Sequence, residues 1–127
     1  MRFAKLVFLI AGLWGFAVLT PLYFLFDRIG ASYPPPMTHP DFYYGFIAVA
    51  LVWQAAFLVI SRDPERFRPM MVVAIMEKFS YVVTLVVLYA VGGLQASQAA
   101  VAGPDLVLGI LFILAFHKTS NRVSERT

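Results

Sequence analysis

Residues 69–89, PMMVVAIMEKFSYVVTLVVLY, read as one apolar helix interrupted at its ninth and tenth positions by adjacent Glu77 and Lys78. The apolar stretch from Met70 to Val91 is about 33 Å long at 1.5 Å per helical residue, enough to cross a hydrocarbon core of about 30 Å. On insertion scales a central charge costs about 2.5–3.5 kcal/mol and each Leu, Ile, Phe or Val returns about 0.3–0.6. The eleven such residues between Met70 and Val91 return roughly 5 kcal/mol on that scale, about what two central charges remove. A segment so close to balance needs its charged side chains satisfied.

Two further stretches, Phe3 to Phe26 and Phe42 to Ile60, reach spanning length, and a fourth from Pro104 to Lys118 has an uninterrupted apolar run only from Leu106 to Phe116. Eleven residues give about 16 Å of helix, so this span must borrow length from Ala99–Ala102 upstream or beyond His117 downstream. The spans expected are thus 3–26, 42–60, 70–91 and 104–118, in one transmembrane domain covering 1–127. The first follows Arg2 and Lys5 as a secretory signal would. Its apolar run continues to Phe26 with no small-residue cleavage site closing it, which predicts a retained helix. Thr20-Pro21 inside that run predicts a kink, since the Ala17 carbonyl loses its donor.

Composition agrees with lipid as solvent. Of 127 residues 61% are hydrophobic and 13% charged, mean hydropathy is +0.78, and the formal charge is +3. There is no cysteine, which removes disulfides and thiolate metal sites from consideration. The basic residues flank apolar segments rather than forming a continuous face, so nucleic acid is not an expected partner. Eight of them (Arg2, Lys5, Arg62, Arg66, Arg68, Lys118, Arg122 and Arg126) fall on one side of the spans and only Arg28 on the other. The positive-inside rule then places both termini in the cytoplasm. Arg62, Arg66 and Arg68 are expected to contact anionic lipid headgroups. Asp63 is placed to cap a short turn begun by Pro64, YPPPMTHP to form an extended strap, and Phe42, Tyr43 and Tyr44 to form an interfacial aromatic belt.

The charged pair is the centre of the expected site. Lys78 is expected to snorkel toward the cytoplasmic headgroups. Glu77 has a shorter reach, and Gln54 lies at nearly its depth in an antiparallel hairpin, which predicts an amide–carboxyl hydrogen bond. Ser80, Tyr81 and Thr84 follow Glu77 at i+3, i+4 and i+7 and share its stripe, which must face protein or a wet crevice. Ala11, Gly12, Gly15, Ala48, Ala55, Ala56 and Gly109 are candidates for close helix approach. Asp27, Asp41 and Asp105 are expected at the external interface, and His39 and His117 on opposite faces, unable to share a metal. No cofactor and no metal are expected.

The order of features, with YPPPMTHPDFYYGF opening the second span and RDPERFRPMM leading into a third that carries EKFSY, resembles small uncharacterised bacterial four-helix integral membrane proteins over nearly the whole chain. That resemblance implies a bacterial inner (plasma) membrane and no particular activity. Length and span count are also similar to small multidrug-resistance transporters, which carry a membrane glutamate in the first helix; here that helix has no acid. The fold class expected is all-α, a membrane four-helix bundle. The expected function is that of an accessory or interaction protein, with a membrane-protein partner or a second copy of the chain as candidate partners, whose polar cluster glues helices together. The alternatives are a small transporter or proton-coupled channel component using Glu77, and a membrane enzyme.

Overall fold

The computed structural model describes residues 2–32 and 38–126, with side chains through Thr119. It is an all-α bundle: α1 (Arg2–Leu19), a 3-10 segment (Thr20–Phe24), α2 (Phe26–Ser32), α3 (Pro40–Arg62), α4 (Arg68–Ala90), α5 (Ala96–Ala99) and α6 (Ala102–Arg126). Four segments are long and apolar enough to cross a membrane: Arg2–Phe24, Pro40–Arg62, Arg68–Ala90 and Ala96–Thr119. The fourth is longer than the sequence suggests because it takes length from both sides. The short α5 precedes it, and α6 continues past His117. The expected strap falls mostly on residues 33–37, outside the described residues.

The polarity of the bundle is that of a protein dissolved in lipid. Leu13, Val52, Val59, Met76, Val83, Val86, Val107 and Ile110 point outward, while Gln54, Lys78 and Thr119 are buried. An outer surface of this kind suits acyl chains, and polar groups turn to the protein interior where partners exist. Thr119 is satisfied on its own helix, its hydroxyl donating to the Ala115 carbonyl at 2.6 Å.

Helix pairing does not follow chain order. α1 packs chiefly on α3 and α4 on α6, α1 lies against α6 to join the two pairs, and the consecutive helices α3 and α4 touch only lightly. Glycine explains the first pairing. A β-carbon at Gly12 would lie 2.6 Å from Leu58 Cδ2 and 3.0 Å from the Gln54 carbonyl, and one at Gly15 would fall on the Gln54 side chain. Gly109 does the same for α4 and α6, where an added β-carbon would meet Phe79 Cε2 at 2.8 Å. Ala48 and Ala55, candidates for such contacts, face outward instead. Where the pairs join, Phe8, Phe57 and Phe112 are fully buried. The rings of Phe8 and Phe112 stack at 4.3 Å and Phe57 meets Phe112 edge-on at 5.0 Å, favourable geometries for aromatic quadrupoles.

Local chemistry sets the ends of the helices. At Pro21 the α-helix tightens to 3-10 geometry, and the Leu22 carbonyl accepts a hydrogen bond from the Tyr43 hydroxyl at 2.5 Å. Tyr23, Phe26, Tyr43 and Tyr44 gather there in ring contact. At the opposite end Asp63 caps a hydrogen-bonded turn through Arg66 N–H rather than a helix. α4 stops at Gly92, whose φ of +82° only glycine adopts readily. The Gly92 and Gly93 N–H groups return to the Tyr89 and Leu88 carbonyls, the pattern of a Schellman cap.

Filling the α1–α3 contact should therefore hurt, whereas filling an open helix position should help. Gly12→Val is expected to lower stability by about 1–3 kcal/mol. Gly45→Ala, where an added β-carbon meets nothing within 4 Å, should raise it by up to about 1 kcal/mol through helix propensity. Thermal unfolding of both variants in detergent micelles checks the opposite signs.

Candidate functional site

Successive residues on a helix point about 100° apart, so Glu77 and Lys78 leave α4 in different directions. Lys78 belongs to the buried stripe of α4 with Met71 and Ala74, and its side chain is only 5% exposed. It does not snorkel. Its Nζ donates to Asp105 Oδ1 at 3.2 Å, lies 3.7 Å from Glu77 Oε2, and sits 5.1 Å from the centre of the Phe57 ring. Lys78 is about 15 Å from the Arg68 end of α4, near the middle of the helix. An ammonium at that depth can remain charged only with counter-charges at hand.

Asp105 corrects the sequence expectation of an external cap. It lies in the first turn of α6, where the helix dipole favours an acid, yet nine residues inside the Ala96–Thr119 segment. The chain reaches that depth through α5 and a turn at Ala100–Val101, held by Val101 N–H to Gln98 O at 3.2 Å and Gly103 N–H to Ala100 O at 3.0 Å. Asp105 and Gly109 are one turn apart. The missing side chain at Gly109, 3.3 Å from the Lys78 β-carbon by its ideal position, brings α4 close enough for the ion pair. The signal was present in the sequence: Asp105 precedes Gly109 and Phe112 at helical spacing, on the stripe that a small residue marks as a helix contact.

Glu77 and Gln54 do approach the same space, but the expected hydrogen bond between them is not formed. Gln54 Nε2 donates to the Ala50 carbonyl of its own helix at 2.8 Å, and Gln54 is 3% exposed. Its Oε1 and Glu77 Oε2 are buried acceptors with no hydrogen-bond donor among the described residues. The cause is the weak α3–α4 contact, which leaves a gap where the hairpin would have closed. Ser80 and Thr84 answer to their own helix, donating to Glu77 O at 3.0 Å and Ser80 O at 2.7 Å.

Two hollows meet at Glu77. A central cavity of about 440 Å³ is walled by Trp14, Gly15 and Leu19 on one side and by Gln54, Glu77, Lys78, Tyr81 and Asp105 on the others, with Ser97, Ala100 and Val101 at the α5–α6 turn. A shallower groove of about 500 Å³ runs between α3 and α4 along Phe42, Phe46, Val49, Trp53, Ser80 and Thr84. Phe46, Ala50, Glu77 and Tyr81 belong to both, and the Phe46 and Tyr81 rings stack at 6.1 Å. The stripe of Ser80, Tyr81 and Thr84 thus faces the groove. Trp14, Phe46 and Phe57 are members of the site that the sequence did not single out, and Asp105 is one that it placed at the external interface.

At formal charges the cluster of Glu77, Lys78 and Asp105 carries one net negative charge inside a cavity of ligand size. Arg68, a candidate headgroup contact, is turned to the protein: its Nε donates to the Phe116 carbonyl at 3.3 Å and its guanidinium lies 3.7 Å from the Phe116 ring centre. Arg62 and Arg66 are exposed. His39 and His117 lie at opposite ends of the bundle, each against a phenylalanine ring.

Removing one member of the buried ion pair strands the other, at about 3–5 kcal/mol. Lys78→Met is expected to destabilise the bundle by about that much, and adding Asp105→Asn to it should recover part of the loss, a coupling of about 0.5–3 kcal/mol. A double-mutant cycle on unfolding in mixed micelles measures it. Comparison with protein families, with curated proteins and with solved structures finds no match to this chain.

Proposed function

We propose that this chain binds a small molecule with a positively charged head and an apolar body in its intramembrane cavity, as a small transporter or channel component that uses Glu77. The carrying observation is the imbalance of the cluster: two carboxylates share one ammonium, Lys78 lying 3.2 Å from Asp105 and, without a hydrogen bond, 3.7 Å from Glu77 on the cavity wall. A cation entering the cavity neutralises the remaining charge. Trp14, Phe46 and Tyr81 offer aromatic surface for it, worth about 0.5–2 kcal/mol when desolvated. The break between α5 and α6 supports the reading, since irregular backbone at membrane depth is tolerated where it lines a cavity.

The proposal takes the basic end as cytoplasmic and the membrane as a bacterial inner membrane, on the Lys and Arg asymmetry and the resemblance described above. Exposed Arg62 and Arg66 are then available to anionic headgroups. A second reading, an accessory protein whose polar groups serve packing, draws support from the Lys78–Asp105 pair, which ties α4 to α6.

The two readings part at Glu77→Gln, which takes the cluster from one net negative charge to none and leaves the ion pair in place. In phosphatidylcholine nanodiscs, tryptophan fluorescence from Trp14 and Trp53 should change saturably with dodecyltrimethylammonium and not with dodecyl sulfate. Glu77→Gln should raise the cation's Kd tenfold or more, about 1.4 kcal/mol, and abolish cation uptake into proteoliposomes, without unfolding. Binding and stability both indifferent to the substitution would leave the packing reading standing.

A further inference from the structure

Charge alone does not distinguish one cation from another, but the two donorless acceptors do. Resting on the proposed binding site, we propose that its head group is a protonated amine bearing N–H donors, carried on an apolar chain that reaches the site from the bilayer, and not a quaternary ammonium. Gln54 Oε1 on α3 and Glu77 Oε2 on α4 are both buried, both belong to residues of the cavity wall, and both lack a donor among the described residues. Gln54 does not supply Glu77 in this arrangement: the hydrogen bond its NH₂ group makes goes to the Ala50 carbonyl of its own helix. Lys78 has its hydrogen bond with Asp105, and its 3.7 Å approach to Glu77 is an ion-pair distance without a hydrogen bond.

An ammonium with two or three N–H groups brings a donor for each acceptor, provided the Gln54 and Glu77 side chains turn toward it. A trimethylammonium head satisfies the charge and the aromatic walls but leaves each acceptor buried and unpaired, the condition that makes sites built on hydrogen bonds reject analogues lacking them. Gly15 is part of this selectivity. An added β-carbon there would occupy the place of the Gln54 amide, so glycine is what allows Gln54 to stand in the wall. The apolar chain has a path, because the groove between α3 and α4 shares Phe46, Ala50, Glu77 and Tyr81 with the cavity. A head at Glu77 can therefore leave its tail among Val49, Trp53 and the acyl chains.

The test follows the tryptophan fluorescence of the unaltered protein, Trp14 lying on the cavity wall and Trp53 in the groove, in phosphatidylcholine nanodiscs titrated with dodecylamine, dodecyltrimethylammonium and dodecanol below pH 8. Empty discs give the partitioning background. Dodecylamine should saturate with a Kd at least tenfold below that of dodecyltrimethylammonium, and dodecanol should give no saturable change. Gln54→Leu should weaken the amine to within about threefold of the quaternary cation while leaving the latter unchanged. Equal affinity for the two cations in the unaltered protein, a comparison that needs no variant to fold, would overturn the inference and leave the cation site standing. Dodecanol binding as tightly as the amine would overturn the inference and the charge argument with it, and the absence of any saturable response would overturn the binding site too. Replacing part of the phosphatidylcholine by phosphatidylethanolamine distinguishes two sources of such a head: competition with dodecylamine supports a membrane aminolipid as the occupant, and an unchanged Kd supports a free lipophilic amine.

Discussion

An ammonium held between two carboxylates near the middle of a bilayer-length helix is the constraint from which the rest of the architecture follows. Lys78 can lie 3.2 Å from Asp105 only if α4 and α6 approach closely, and Gly109 permits that approach by offering no side chain between them. The acid must also be brought to depth, which requires the fourth span to begin well before Asp105. The α5 turn and the break at Ala100–Val101 do this, and the same break contributes wall to the cavity. Phe57, whose ring faces Nζ at 5.1 Å, couples the ion pair to the aromatic centre formed with Phe8 and Phe112. Charge pairing, helix breaking and core packing are in this sense one arrangement.

The pairing of helices decides what space is left over. Because α1 closes on α3 through Gly12 and Gly15, and α4 on α6 through Gly109, the bundle is two tight pairs rather than a ring of four equal contacts. The lightly sealed side, between α3 and α4, is where the groove runs and where Phe46 stacks on Tyr81. A short connection through Asp63 and Pro64 makes these helices neighbours at one end only. Sequence adjacency therefore predicts their order and not their closeness.

That distinction explains what could be read in advance. Hydropathy and length determine span existence nearly alone, so the four-helix membrane bundle was legible from segments such as 69–89, as was the disturbance at Pro21. The stripe of Ser80, Tyr81 and Thr84 followed from helical spacing. Matching Gln54 to Glu77 by depth agrees with their lining one cavity, yet depth says nothing about azimuth, and the hydrogen bond between them is not formed because α3 does not close on α4. Lys78 was assigned to the headgroups because reach along the helix axis is easily estimated, whereas a partner on a helix twenty-seven residues further on is not. Asp105 was misplaced for a related reason: the apolar run after it is short, and only the folded α5–α6 break shows that the span starts earlier.

The cluster divides its labour in a way that a single buried acid could not. Were Asp105 absent, Glu77 would be drawn to Lys78 as its one counter-charge, and the cavity would hold a neutral pair with little reason to admit a charged guest. With Asp105 taking the hydrogen bond, Glu77 keeps only a long 3.7 Å contact and stays on the wall that the groove and cavity share. Two carboxylates for one ammonium thus leave one hydrogen-bonded between α4 and α6 and the other at a longer distance, on the wall where cavity and groove meet. The energetic cost of burying charge in lipid is met chiefly by the first pair. The second carboxylate, partly relieved of that cost by the nearby ammonium, is the one the helix packing leaves accessible from between α3 and α4.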